Sequence, residues 1–230
     1  MKCAKKRGVF LVIEGGDGSG KATQVAELIS KLEKFGKSPR TVDFPRYTKP
    51  SSYFVKEYLN GNYGSIKEVG PYCSSMFYAL DRYDAAPEIR KWLESGDMVV
   101  ANRYVSSNMA HQGAKLRTTA QRKIFFKWLY GLEYDLFNIP RPTLVIILHV
   151  PAAVAQKLVD KKGSREYIGG VKRDLHESNI KHLRQAEAAY LEMAKLFPRQ
   201  FKVIQCTEGK RLLSVPEIHE KVWKIVGKYV

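Results

Sequence analysis

The sequence predicts a single α/β domain in which five parallel strands form a sheet flanked by helices. Apolar runs recur at long intervals (9–13, 40–44, 98–101, 143–150 and 201–205), and helical patterns fill the stretches between them. That rhythm belongs to parallel strands joined by crossover helices. A glycine-rich turn links the first run to the first helical pattern, where an anion-holding loop would sit.

The first run is apolar throughout and reads as a strand buried on both faces. Val25, Leu28, Ile29, Leu32 and Phe35 then recur at helix spacing over 21–36, and Gly36 ends the pattern. Between strand and helix lies Gly15-Gly16-Asp17-Gly18-Ser19-Gly20-Lys21. Its glycines let backbone N–H groups turn inward around a phosphate, the helix start adds the positive end of its dipole, and Lys21 adds an ammonium. A Ser or Thr directly after the lysine would bring a hydroxyl to Mg²⁺. Here that residue is Ala22, and Thr23 comes one place late.

Further helices are expected at about 50–60, 73–95, 106–113, 118–131, 151–161, 175–196 and 215–229. The last opens on Ser214-Val-Pro-Glu217, a capping box with proline in the first turn, and Ile218, Val222, Ile225, Val226 and Tyr229 trace its apolar face. No repeat, low-complexity tract or linker interrupts the chain, so 1–230 reads as one domain. The stretch 160–173 breaks the rhythm: Lys161, Lys162, Arg165, Lys172 and Arg173 share it with three glycines. Beside a phosphate loop, such a segment predicts a lid over about 160–174 that closes on a nucleotide and neutralises charge.

Composition narrows the classes. Hydrophobic content of 44% and charged content of 27% suit a globular domain. No run approaches a membrane span, and the basic cluster at Lys2, Lys5, Lys6 and Arg7 precedes too short an apolar run for a signal-peptide core. The three cysteines, Cys3, Cys73 and Cys206, show no metal spacing and suit a reducing cytoplasm. Lys and Arg outnumber Asp and Glu by 39 to 23, a formal charge of +16. The cations are scattered without interleaved aromatics, which points to polyanionic small substrates rather than nucleic acid.

Two arginine motifs complete the reading: Ser75-Met-Phe-Tyr-Ala-Leu-Asp-Arg-Tyr83, and Asn102-Arg103-Tyr104 with Ser107, Asn108, His111, Gln112 and Gly113 behind it. The second lies at the C-terminal end of the third strand, where doubly wound sheets place ligands. Together with the phosphate loop, Phe44-Pro45-Arg46, the basic segment and the C-terminal helix, their order and spacing make the chain resemble the thymidylate kinases over nearly its whole length.

The resemblance implies the three-layer P-loop kinase fold with a short lid, and transfer of a phosphoryl group from ATP, with Mg²⁺, to dTMP. It assigns the loop from Gly15 to Gly20, with Lys21, Ala22 and Thr23, to ATP. Asp17 would accept from the acceptor's 3′-hydroxyl. Phe77 would stack on thymine, while Arg82 and Asn108 would meet its polar edge. Arg103 and Arg46 would hold the acceptor phosphate, with Ser107, His111 and Gln112 completing that wall. Gly18 stands where one subgroup carries a loop arginine, which assigns the catalytic cation to the lid as Arg165, beside Lys21 and Arg103. The resemblance also implies a homodimer through helices near 50–95.

Three departures from the pattern stand out. Ala22 removes a hydroxyl, Asn102 replaces an acid near the magnesium, and His111 replaces an aromatic residue at the sugar's 2′ face. The metal ligands stay open, with Mg²⁺ held mainly through the phosphates and Thr23, Glu14 or Asp17 acting through water. A related kinase for another nucleotide or a deoxynucleoside, and a weakened nucleotide-binding homologue, stay open beside the leading reading.

Overall fold

A computed structural model describes residues 8–160, 180–209 and 211–230. Five strands form the central sheet: β1 (Val9–Glu14), β2 (Arg40–Asp43), β3 (Met98–Asn102), β4 (Leu144–His149) and β5 (Phe201–Gln205), in the order β2-β3-β1-β4-β5. All four pairings are parallel. A short antiparallel pair, β6 (Thr207–Glu208) and β7 (Arg211–Leu212), follows.

Side-chain alternation divides the core into two layers around the sheet. Phe10 and Val12 of β1 face one side, packing with Ile89, Phe125, Leu129 and Tyr190. Leu11 and Ile13 face the other, with Leu28, Leu32, Ile218 and Val222. The first layer is made by α3 (Ile66–Glu94), α4 (Val105–Gly113), α5 (Thr119–Tyr130) and α7 (Ile180–Leu196). The second is made chiefly by α1 (Lys21–Lys34) and α8 (Val215–Val226), and α6 (Ala152–Asp160) adds Ala155 to it. Leu28 and Leu32 are fully buried, each worth about 1.5–3 kcal/mol in transfer from water. The capping box on α8 forms as expected: Ser214 Oγ accepts from Glu217 N, and Glu217 returns a bond to Ser214 N.

Two boundaries differ from the sequence reading. The third helix starts at Ile66, not 73, because Ser65 and Glu68 form a capping box of their own. That first turn is set off by Gly70 (φ 68°, ψ 172°) and Pro71. Beyond α5 the chain continues as a π-helical turn, Gly131–Leu136, rather than ending at 131. A short 3₁₀ turn (Pro50–Ser52) and α2 (Tyr53–Leu59) occupy the stretch expected at 50–60. The C-terminal ends of β1, β2 and β3 open toward one side, and the site is built there.

Candidate active site

The loop after β1 has the backbone that anion binding requires. Gly15 sits at φ 143°, and a Cβ there would meet Leu148 O at 2.5 Å and Ser19 Oγ at 2.6 Å, so only glycine fits. Gly20 caps α1 in the left-handed conformation without a side-chain hydrogen bond to the first turn. Those N–H groups therefore depend on water or on a bound anion. Lys21 is buried and its Nζ donates to Gly16 O at 2.8 Å, which folds the ammonium back over the loop.

A cavity of about 300 Å³ opens beside it. Asp17, Gly18, Gly20, Lys21 and Ala22 form one wall; Asp43, Asn102 and Arg103 form the floor at the strand ends; Tyr78, Arg82, Asn108, His111 and Gln112 form the opposite wall. Arg103 links the walls. Its backbone is in the left-handed region (φ 66°), unusual for a non-glycine residue, with its N–H on Ile13 O at 3.0 Å. Its guanidinium pairs with Asp17 and reaches Ser107 Oγ and His111 Nε2, each at 3.3 Å. Burial pushes the Asp17 carboxyl up, but Arg103, helped by His111 and Lys21, outweighs it and holds Asp17 well below the usual carboxylate range. Both partners stay charged.

Buried polar pairs position the opposite wall. Tyr104 is the N-cap of α4 and offers no side-chain cap; Glu14, from the end of β1, supplies one. Its carboxylate accepts from Tyr104 N (2.8 Å), Ser107 N (3.0 Å), Ser106 Oγ (2.8 Å) and Ser107 Oγ (2.6 Å), and also from Tyr190 OH (2.9 Å). A carboxylate at a helix N-terminus complements the dipole, and here it fastens α4 to β1 and α7. These bonds commit Glu14 to holding α4, while the sequence kept it, with Thr23 and Asp17, among the groups that could meet the metal through water.

Arg82 is also committed. Its Nε and Nη2 donate to Glu133 at 2.5 and 2.6 Å, with both residues buried. Burial disfavours the charged guanidinium, but Glu133 more than compensates, so Arg82 stays cationic at the cavity wall. Gln112 Oε1 accepts from Ser74 Oγ at 2.8 Å, and Asn108 Nδ2 donates to Ser75 O at 3.0 Å. Asn108 Oδ1 is buried without a hydrogen-bond partner. It is an acceptor on the wall of the cavity.

Three expected side chains fall elsewhere, and a fourth is not described. Phe77 does not line the cavity; it packs in a separate aromatic cluster with Phe54 (5.8 Å, stacked), Tyr58 and Tyr63. The aromatic ring that α3 gives to the cavity is its neighbour Tyr78. Helix spacing would have chosen it, since 78 and 82 share a face and 77 points about 100° away. Arg46 is turned from the cavity into a cluster with Asp81 (3.1 Å), Asp84 (2.5 Å) and Ser51 (2.9 Å), so its charge is already neutralised. Thr23 is exposed one helical step from Ala22 and does not line the cavity. Arg165, with the rest of the expected lid from 161 onward, lies outside the described residues. Within the loop, Gly15 and Ser19 shape the backbone behind the cavity, and Gly16 borders a small recess with His149 and Glu187.

Sequence reasoning missed Tyr78, Glu133 and Asp43. Glu133 carried no sequence signal beyond being an acid among apolar residues. Asp43 shows its position only through strand register, opposite Asn102.

A family model for thymidylate kinase matches residues 13–215. The chain belongs to the thymidylate kinase family. The thymidylate kinase of Mycobacterium tuberculosis (strain H37Rv) is 30% identical over 187 residues, covering 81% of this chain and 86% of the relative. That of Dictyostelium discoideum is 27% identical over 219 residues, covering 90% and 92%. The solved structure of thymidylate kinase from Candida albicans superposes with a TM-score of 0.73 at 19% identity, over 97% of this chain and 92% of that one, and shares its fold. Family membership makes the chain a nucleotide-binding kinase.

Proposed function

We propose that this protein transfers the γ-phosphoryl group of ATP to dTMP, giving ADP and dTDP. The placement of Lys21 and Arg103 around one cavity, at the C-terminal ends of β1 and β3, carries this reading. Phosphoryl transfer asks the protein mainly for alignment and charge neutralisation. The loop N–H groups and Lys21 hold the β- and γ-phosphates of ATP. Arg103 holds the acceptor phosphate, its fork kept in place by Asp17, Ser107 and His111. Asp17 takes the acceptor's 3′-hydroxyl. Tyr78 covers the thymine face, and Arg82, Asn108 and Gln112 meet its polar edge. Arg165 supplies a further cation from the segment that follows α6.

Mg²⁺ bound to the triphosphate neutralises charge on its oxygens. The floor suits such a group: Asn102 Oδ1 is buried there without a hydrogen-bond partner, an oxygen of the hard type Mg²⁺ accepts. The exposed apolar surface of α2 and α3, with Tyr53 54% and Tyr83 51% accessible, supports a homodimer through these helices. No helix among the described residues is long and apolar enough to cross a membrane. With Cys73 and Cys206 both unpaired thiols, this supports a cytoplasmic enzyme.

ADP release from ATP-Mg²⁺ with dTMP, dUMP, UMP, dCMP and thymidine tests the assignment. The expected result is turnover with dTMP above all others. A missing methyl should reduce kcat/KM for dUMP by about 10–200-fold. Turnover of thymidine with none of dTMP would overturn the reading. Light scattering in solution checks the dimer.

A further inference from the structure

Two of the carboxylates near the phosphate end of the cavity already have work. All of Glu14's contacts go to α4 and Tyr190, and Asp17 is paired with Arg103. Asp43 is different. It ends β2, is exposed, and lines the same cavity as Lys21, Ala22 and Asn102. Parallel register sets it directly opposite Asn102, the last residue of β3. Burial raises the Asp43 carboxyl, and Asn102, Arg103 and Lys21 beside it partly offset that. The Asn102 amide oxygen is buried there without a hydrogen-bond partner. Adjacent strands are about 4.8 Å apart, so an acid on β2 stands one strand away from the position that Asn102 leaves neutral.

A carboxylate beside a spare amide oxygen, facing the loop that holds phosphates, is a partial oxygen shell. Mg²⁺ takes such a shell when phosphates and water fill the remainder. We propose that Asp43, together with Asn102 Oδ1, is the protein's hold on the nucleotide's Mg²⁺: the charge sits on β2 and the neutral oxygen on β3. This rests on the ATP-dependent reading above. It also accounts for a floor on which Ala22 offers no hydroxyl and Asn102 no charge.

Binding of a non-hydrolysable ATP analogue to the full chain, titrated calorimetrically with and without Mg²⁺, tests the proposal without relying on turnover. Asp43→Asn should raise the Mg²⁺ concentration at half-effect by about 10-fold or more, the scale on which metal sites respond to altered ligands. Metal-free analogue binding should stay equal or tighten. Asn102→Asp, which adds a second carboxylate, should lower the Mg²⁺ midpoint in the otherwise native chain. Carrying the charge back to β3 in Asp43→Asn/Asn102→Asp should restore the native value. A Mg²⁺ midpoint within about twofold of native in both single variants would overturn the assignment. Should the native chain bind no analogue at all, the nucleotide reading itself would fall instead, so the two failures are separable.

Discussion

The two walls of the cavity are built by opposite means. On the loop side, the groups proposed to bind are main-chain N–H groups, and what shapes them is glycine: at Gly15 a Cβ has nowhere to go, and Gly20 caps α1 with no side chain. On the opposite side, the groups are long polar side chains, each fixed by a second buried residue distant in sequence. Glu133 fixes Arg82, Glu14 fixes the start of α4, and Ser74 fixes Gln112. The first wall needs a local sequence; the second needs the finished fold. Substitutions should therefore cost mainly rate on the loop side and mainly stability on the other.

The largest effect is expected at Glu133. Glu133→Leu leaves the Arg82 guanidinium buried and unpaired, a loss of about 3–5 kcal/mol in unfolding by urea. Adding Arg82→Met should recover most of that stability, because two apolar residues of similar size satisfy each other. KM for dTMP should stay elevated in the double variant, separating Arg82's part in binding from the pair's part in folding. If the double variant bound dTMP as the native chain does, Arg82 would belong to structure alone.

Lys21→Ala should reverse that profile. Its ammonium lies over the loop, donating to Gly16 O, at the phosphate end of the cavity, and the predicted result is a fall in kcat of about 10²–10³ with little change in the urea midpoint. A stability loss as large as that of Glu133→Leu would erase the contrast between the walls.

The adjacent aromatics test the same contrast within one helix. Tyr78→Ala should raise KM for dTMP by about 10-fold, on the scale of one stacked base at about 1–3 kcal/mol. Phe77→Ala should leave KM near native and lower stability by about 2 kcal/mol, since its ring packs with Phe54, Tyr58 and Tyr63. Steady-state kinetics and denaturant melts on the two variants check this, and equal KM values would return Phe77 to the site.

The same division decides what the amino-acid sequence makes legible. The strand, glycine loop and helix are contiguous, so the whole loop wall can be read from residues 9–36 alone. So can the three central strands, β1, β3 and β4, since their continuous apolar runs allow little else. The opposite wall is only half legible. Arg103, Asn108, His111 and Gln112 lie on one short helix and its approach, and line the cavity together. Phe77 and Arg46 mislead because each sits one residue from a cavity residue, Tyr78 and Tyr47, and a motif without its helical phase does not show which side faces in. Glu133 and Asp43 are invisible for a stronger reason. Their roles depend on pairings across 51 residues in one case and on strand register in the other.

The smallest effect concerns Lys115, behind the second wall. Its Nζ donates to Tyr58 OH (2.8 Å) and Ser74 Oγ (3.0 Å), and Ser74 in turn holds Gln112. Burial brings its pKa down to about 7 from an ordinary 10.5, with Cys73 only partly offsetting. The unfolded chain therefore binds more protons at this position between about pH 7 and 10.5, and stability should rise with pH through that window. Cys206 acts in the opposite sense above pH 9, because burial raises its thiol to about 11 and the unfolded thiol ionises first. The interval from pH 7 to 8.5 isolates the lysine, with a slope of at most about 1.4 kcal/mol per pH unit. Lys115→Met keeps the length of the side chain and removes its proton. Urea midpoints across that interval should rise with pH in the native chain and stay flat in the variant. A rise that persisted in Lys115→Met would assign the effect to another group and leave Gln112 held by Ser74 alone.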